Sequence, residues 1–175
     1  MLIATTFSWK LVLINALIYA ALQFIRMIID CFMPRSWYDH RRPYFQCKVW
    51  EREGQFYQEY FNIKGWKDCL PSIGGFTRFS KRKLKTTDPA YLERFINETC
   101  RGESHHVRSI LETSLFILWN PLPLFMIIFS ASALFHLPYI MIQRYNRPRL
   151  MQLKRLISDS GSEEIKTAYR HLAAG

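Results

Sequence analysis

Apolar positions along the chain gather into two blocks, separated by a polar and aromatic stretch and followed by a polar tail. The first block, Leu2 to Ile29, is mostly apolar and is interrupted by Lys10 and Arg26. A helix needs about 20 residues to cross a hydrocarbon core, so a span over about Trp9 to Ile29 is expected. Lys10 would snorkel at its outer end, with Arg26 at the other interface. A cleaved signal peptide is the competing reading, but the apolar part is long and Cys31-Phe32-Met33-Pro34 makes a poor cleavage site. The second block, Ile110 to Gln143, is broken at Asn120-Pro121-Leu122-Pro123. At about 1.5 Å per residue it is too long for one span and too short for two with a generous loop. It predicts a broken hairpin: a short or re-entrant arm up to Trp119, then a full span from about Leu122 to Gln143 that carries His136 and Pro138.

Between the blocks, Phe56, Tyr57, Tyr60 and Phe61 recur at i, i+1, i+4 and i+5 and predict a helix from about Glu51 to Ile63. Pro71, Gly74 and Gly75 predict a loop, and the basic run Lys81-Arg82-Lys83-Leu84-Lys85 follows it. Thr87-Asp88-Pro89 starts a further helix, with Asp88 as N-cap and Pro89 in the first turn. That helix carries Tyr91, Leu92, Phe95 and Ile96 on one side, then Thr99, Glu103, His106 and Ile110 close to one line. The tail predicts a short amphipathic helix from Met151, a polar linker at Ser158 to Ser162 and a second short helix. The fold class is therefore mainly α: a small integral membrane protein with an N-terminal transmembrane helix (1–29), a basic interfacial region (30–105), a broken membrane hairpin (106–143) and a basic tail (144–175).

Charge orients this arrangement. Lys and Arg number 24 against 14 Asp and Glu, a formal net charge of +10, and the mean hydropathy of −0.09 averages the apolar blocks with a markedly basic remainder. The positive-inside rule assigns both basic regions to the cytoplasm and the amino terminus to the outside. A basic balance admits nucleic acid, anionic lipid or a phosphorylated substrate. With two apolar blocks and no nucleic-acid motif, membrane lipid is the expected partner and nucleic acid is not. The aromatic stripe reads equally as an in-plane helix on lipid or as a core face. The cysteines, Cys31, Cys47, Cys69 and Cys100, include no C-x-x-C pair and read as reduced structural thiols.

Candidate chemistry lies in Arg101-Gly102-Glu103-Ser104-His105-His106, at the threshold of the second block. At helical spacing Glu103 and His106 share a face, so the carboxylate can fix the imidazole's orientation and tautomer. Glu98, Arg101 and His105 line the adjacent strip, and His105 competes with His106 as the base. His136, alone in an apolar span, reads as a packed histidine donating to a backbone carbonyl, although titratable groups inside a membrane carry a functional expectation of their own. Arg144-Tyr145-Asn146-Arg147-Pro148-Arg149-Leu150 presents three guanidiniums, either as a headgroup anchor or as a specific anion site. The residues alone leave open a membrane enzyme with acid–base chemistry, a non-catalytic lipid-binding adaptor, and a metal-dependent hydrolase or oxidase on Glu103-x-x-His106. The last lacks further ligands beyond His105, Glu98 or Glu112, and no metal site is expected.

The combination of E-T-x-R-x-E-x-x-H, carried by Glu98, Thr99, Arg101, Glu103 and His106, with R-Y-N-R-P-R-L at Arg144 to Leu150 resembles the glycosyl-4,4'-diaponeurosporenoate acyltransferases. These are small bacterial membrane proteins assigned to the last step of staphyloxanthin synthesis. Trp66-Lys67, Asn120 and Pro123 are similar in position, and the resemblance runs from about Phe45 to Ile157. It departs at Val107, where the family has Trp, and at Cys100. The resemblance implies a multi-pass bacterial cell-membrane enzyme that esterifies a sugar hydroxyl of a carotenoid glycoside or other glycolipid. The fatty acyl group would come from an activated thioester, coenzyme A or a carrier protein, as substrate and without a cofactor. His106 would be the general base, Glu103 would orient it, and Arg101, with Asn120, would stabilise the oxyanion. Arg144, Arg147 and Arg149 would hold the donor's phosphate, and Glu98, Trp66, Lys67 and Asn146 complete the substrate-binding set.

Overall fold

The computed structural model describes residues 8–71, 84 and 86–159. Gly74 and Gly75, the basic run at 81–85 apart from Leu84, and the linker and second tail helix beyond Asp159 lie outside the described residues. The described residues are mainly helical: α1 (Trp9–Phe32), α2 (Gln55–Phe61), α3 (Ile63–Trp66), α4 (Pro89–Thr113) and α5 (Leu122–Asp159), with short 3-10 turns between them. No strand occurs among them. They form two compact units, and the division falls within α4 and within α5.

One unit comprises the residues through Pro34 with His105–Pro138. Its α1 is the expected first span, ended by extended backbone at Met33 just before Pro34. The exterior is apolar: Leu13, Leu17 and Phe24 on α1, and Leu122, Ile127 and Leu134 on α5, are all exposed. The interior is polar, with Asn15, Arg26, Asp30, Ser109, Thr113, Asn120, Ser132 and His136 buried and, among the described residues, Phe116 as the buried apolar side chain. Helices in lipid pack this way, because lipid already solvates apolar groups and polar groups must find partners inside. Both α1 and α5 are long and apolar enough to cross a membrane.

The break predicted at Asn120-Pro121 is present, after a 3-10 turn at Ser114–Leu118. The separate tail helix predicted from Met151 is not. α5 instead runs for 38 residues through Pro138 and Pro148. Each proline removes one helical N–H, and the helix continues past both.

The other unit comprises Arg35–Ser104 and the described residues from Tyr139 onward. Asp88 caps α4 as expected, its Oδ2 accepting the Tyr91 N–H at 2.9 Å. The α4 face of Leu92, Phe95, Ile96 and Cys100 is buried, as are Tyr38, Phe45, Tyr57, Ile63, Tyr145 and Leu153. All four cysteines are free thiols, and burial pushes the Cys100 thiol up to about 11.

The single helix expected over 51–63 is replaced by a 3-10 segment at Val49–Gly54, then α2 and α3. Arg52, Glu53, Gly54 and Asn62 all have positive φ, which no continuous helix accommodates. The reason lies on α5: a Cβ at Gly54 would meet the Tyr145 carbonyl oxygen at 3.1 Å, so the chain turns tightly there and sends Glu51 inward. The aromatic stripe divides accordingly. Tyr57 is in the core with Ile63 and Tyr145, and Phe56 packs against it, while Tyr60 and Phe61 are exposed.

Candidate active site

In the second unit, α4 and α5 are joined by a quartet of charges, Glu51, Glu103 and Arg147 buried and Arg144 half-buried. Glu51 accepts two hydrogen bonds from Arg144 Nη1, at 2.8 and 3.0 Å, together with the Tyr57 hydroxyl and the Lys48 backbone N–H. Glu103, 1 % exposed, accepts from Arg144 Nε at 2.8 Å and from Arg147 Nη2. Arg147 also donates to Thr99 Oγ1 at 3.0 Å and to the Phe45 carbonyl at 2.7 Å, and Arg144 reaches the Tyr44 carbonyl. Two carboxylates and two guanidiniums sum to zero, which is the condition for keeping charges in such a place. Burial alone would push the Glu51 carboxyl up, but the Lys48 N–H, the Tyr57 hydroxyl and Arg144 outweigh it and hold it below its ordinary value. Burial and Glu51 together push the Tyr57 phenol upward, so it stays a donor.

In the first unit, two adjacent imidazoles of α4 are each tied to another helix through Nδ1. His105 Nδ1 lies 3.0 Å from Asp30 Oδ2 on α1, and Arg108 holds the other oxygen of Asp30 at 3.0 Å. His106 Nδ1 lies 2.9 Å from His136 Nδ1 on α5, whose Nε2 lies 2.8 Å from the Tyr19 hydroxyl on α1. Arg26 donates to Ser109 Oγ at 2.6 Å and to the His105 carbonyl, and pairs with Glu112. Asn15 and Asn120 form a reciprocal amide pair, and the Trp119 indole N–H donates to Asn15 Oδ1.

Residues 34–156 match the family model described as glycosyl-4,4'-diaponeurosporenoate acyltransferase. That segment holds the Glu103–Arg144–Arg147 network and both α4 histidines. The chain belongs to the glycosyl-4,4'-diaponeurosporenoate acyltransferase family. Relatives of that name from Staphylococcus aureus are 31 % identical over 131 residues in strain bovine RF122 / ET3-1 and 30 % in strain N315. In each case the alignment covers 74 % of this chain and 79 % of the relative. No solved structure matches.

The remaining predicted residues of this acyltransferase fall in several places. Arg101 pairs with Glu98 at 3.6 Å and stacks over the Tyr38 ring. Asn120 gives its amide to Asn15 and to the Phe116 carbonyl, and so fastens the start of α5 to α1. Trp66 donates to the Phe61 carbonyl, and Lys67 pairs with Asp68. Asn146 is half-buried on α5, and Arg149 donates to the Tyr145 hydroxyl and stacks on that ring. A groove of about 350 Å³ in the second unit is lined by His40, Cys47, Glu51, Arg144, Arg147 and Arg155, among others. Among the described residues no three His, Cys, Asp or Glu side chains converge on one point.

The structure corrects one reading and adds several residues. His136 does not serve a backbone carbonyl; its two ring nitrogens go to side chains of α1 and α4. Glu51, Asp30 and Tyr19 were not legible as site residues. The available signal was Arg26 and Asp30 standing inside or beside an apolar span, since charges there demand partners.

Proposed function

We propose that this acyltransferase esterifies a sugar hydroxyl of a lipid-linked glycoside, a carotenoid glycoside or another glycolipid, with a fatty acyl group from a thioester of coenzyme A or a carrier protein. The observation that carries this reading is the His106 imidazole, pinned at Nδ1 by a side chain of another helix, within a unit whose exterior is apolar and whose interior is polar. A base presented in lipid suits an acceptor dissolved in lipid. His106 Nε2 takes the hydroxyl proton, the oxygen attacks the thioester carbonyl, and Arg101 stabilises the oxyanion. The C–S bond then breaks, and the thiolate takes the proton back from the imidazolium. Glu103 contributes negative charge and anchors Arg144 and Arg147. The donor's phosphate is assigned to the basic groove, with Arg144 at its wall and Arg155 beside it, and Arg149 on the same stretch of α5. The proposal puts both basic regions on the cytoplasmic side of a bacterial membrane crossed more than once, a reading supported by the positive-inside rule.

One observation favours a second reading within the same reaction: Asp30 holds His105 as a carboxylate holds a catalytic imidazole, making His105 the alternative base. Lipid mass spectrometry on hosts carrying the wild type, His106→Ala or His105→Ala at matched membrane levels, beside an empty host, separates these. A glycolipid that gains a fatty-acyl mass with the wild type and loses it with His106→Ala supports the reading and identifies the acceptor. Loss with His105→Ala alone moves the base to His105. A wild type identical to the empty host favours the non-catalytic adaptor.

A further inference from the structure

The α4 histidine just assigned as base belongs to a hydrogen-bonded chain that crosses three helices. Tyr19 of α1 meets His136 Nε2 at 2.8 Å, and His136 Nδ1 meets His106 Nδ1 at 2.9 Å. His136 is 3 % exposed, so both of its ring nitrogens need partners, and both have them. A neutral imidazole donates at one nitrogen and accepts at the other. The chain therefore has two consistent arrangements. In one, Tyr19 donates to His136 and His136 donates to His106, which leaves the His106 proton on Nε2. In the other, His106 donates from Nδ1 to His136, His136 donates from Nε2 to the Tyr19 oxygen, and the His106 lone pair stands on Nε2.

Only the second arrangement makes Nε2 a base. It also answers the charge that develops in the reaction. As His106 gains a proton at Nε2, its Nδ1–H keeps the His136 Nδ1 lone pair as acceptor, so the charged ring stays hydrogen-bonded. We propose that His136 and Tyr19 are positioning residues that hold His106 in its Nδ1–H tautomer. The proposal rests on the reading of His106 as the base, but its central claim concerns a tautomer and is measurable without turnover.

The test is nitrogen-15 NMR of the full chain in lipid nanodiscs with labelled histidine, His106 being assigned by the loss of its signals in His106→Ala. The expected result is a protonated Nδ1 and a bare Nε2 on His106, turning into a mixture of tautomers in Tyr19→Phe. Acylation of the glycolipid found by the lipid analysis is expected to fall about 10-fold in Tyr19→Phe and about 100-fold in His136→Phe, the range typical of groups that orient an active ligand. Adding Tyr19→Phe to His106→Ala is expected to leave the residual rate unchanged, because positioning residues act through the group they position. His106 protonated at Nε2 in the wild type would overturn the proposal, as would a Tyr19→Phe protein with the wild-type tautomer and rate. If His136→Phe fails to accumulate, Tyr19→Phe decides, since it keeps the ring. If the tautomer is as described but His106→Ala still acylates, it is the general-base reading that falls.

Discussion

In the unit built from α1, the C-terminal part of α4 and the first part of α5, the buried side chains are Asn15, Arg26, Asp30, Ser109, Thr113, Asn120, Ser132 and His136, and the exposed ones include Leu13, Leu17, Phe24 and Leu134. In the unit that holds the rest of those helices, Leu92, Phe95, Ile96, Ile63 and Leu153 are buried, and the charges buried with them, Glu51, Glu103 and Arg147, form one neutral network with Arg144. The difference follows from the solvent each unit is built to meet. Apolar burial drives assembly where water is the alternative and contributes little where lipid is. Hydrogen bonds therefore select the packing of the first unit, whereas an apolar core stabilises the second and its ion network fixes which residues of α4 and α5 meet.

The sharpest way to break the comparison is Glu103→Ala, which strips Arg144 of one partner and leaves the Arg147 Nη2 bond unmade. A loss of about 3–5 kcal/mol is expected, read as a fall in the melting temperature of the detergent-purified protein. The same network sets an acid response. Glu51 is held below its ordinary carboxylate value, so its contribution is complete above the unfolded value of about 4.3 and is lost as pH falls below it. Melting profiles should drop on acidification through that range, and Glu51→Gln should flatten the drop.

Leu92→Ala in the apolar core is next, at about 2–5 kcal/mol. Its counterpart on the exposed side of α1, Leu17→Ala, should change the stability read from the same melts by less than about 0.5 kcal/mol. Equal effects from the two leucines would remove the distinction between the units. Gly54→Ala, with positive φ and the Tyr145 carbonyl against it, should cost about 1–3 kcal/mol. Asn15→Ala removes three hydrogen bonds at about 0.6 kcal/mol each, the average between helices in lipid, so a fall in stability of about 2 kcal/mol is expected in thermal melts.

Local signals carried much of the fold in the sequence. The apolar run gave α1 from Trp9, Asp88-Pro89 gave the start of α4, and Asn120-Pro121 marked the break before α5. What failed locally failed for tertiary reasons. Arg52 and Glu53 adopt left-handed backbone beside Gly54, which lies against α5, and Pro148 sits within a helix that continues past it to Asp159. The site was legible as a set of residue types on α4 and α5. Its partners were not: Glu51 lies 93 residues before Arg144, and His136 lies 30 after His106, separations at which periodicity says nothing.

The Asp30–His105 contact also sets a timetable for making the protein. The two residues are 75 positions apart, so at a synthesis rate of about 5–20 residues per second α1 exists for roughly 4–15 s before its α4 partners emerge from the ribosome. During that interval Arg26 and Asp30, one helical turn apart, have each other for company. In the folded chain Asp30 pairs with Arg108 and His105, and Arg26 with Ser109 and Glu112. The partners of the buried charges of α1 are thus supplied by a segment translated much later.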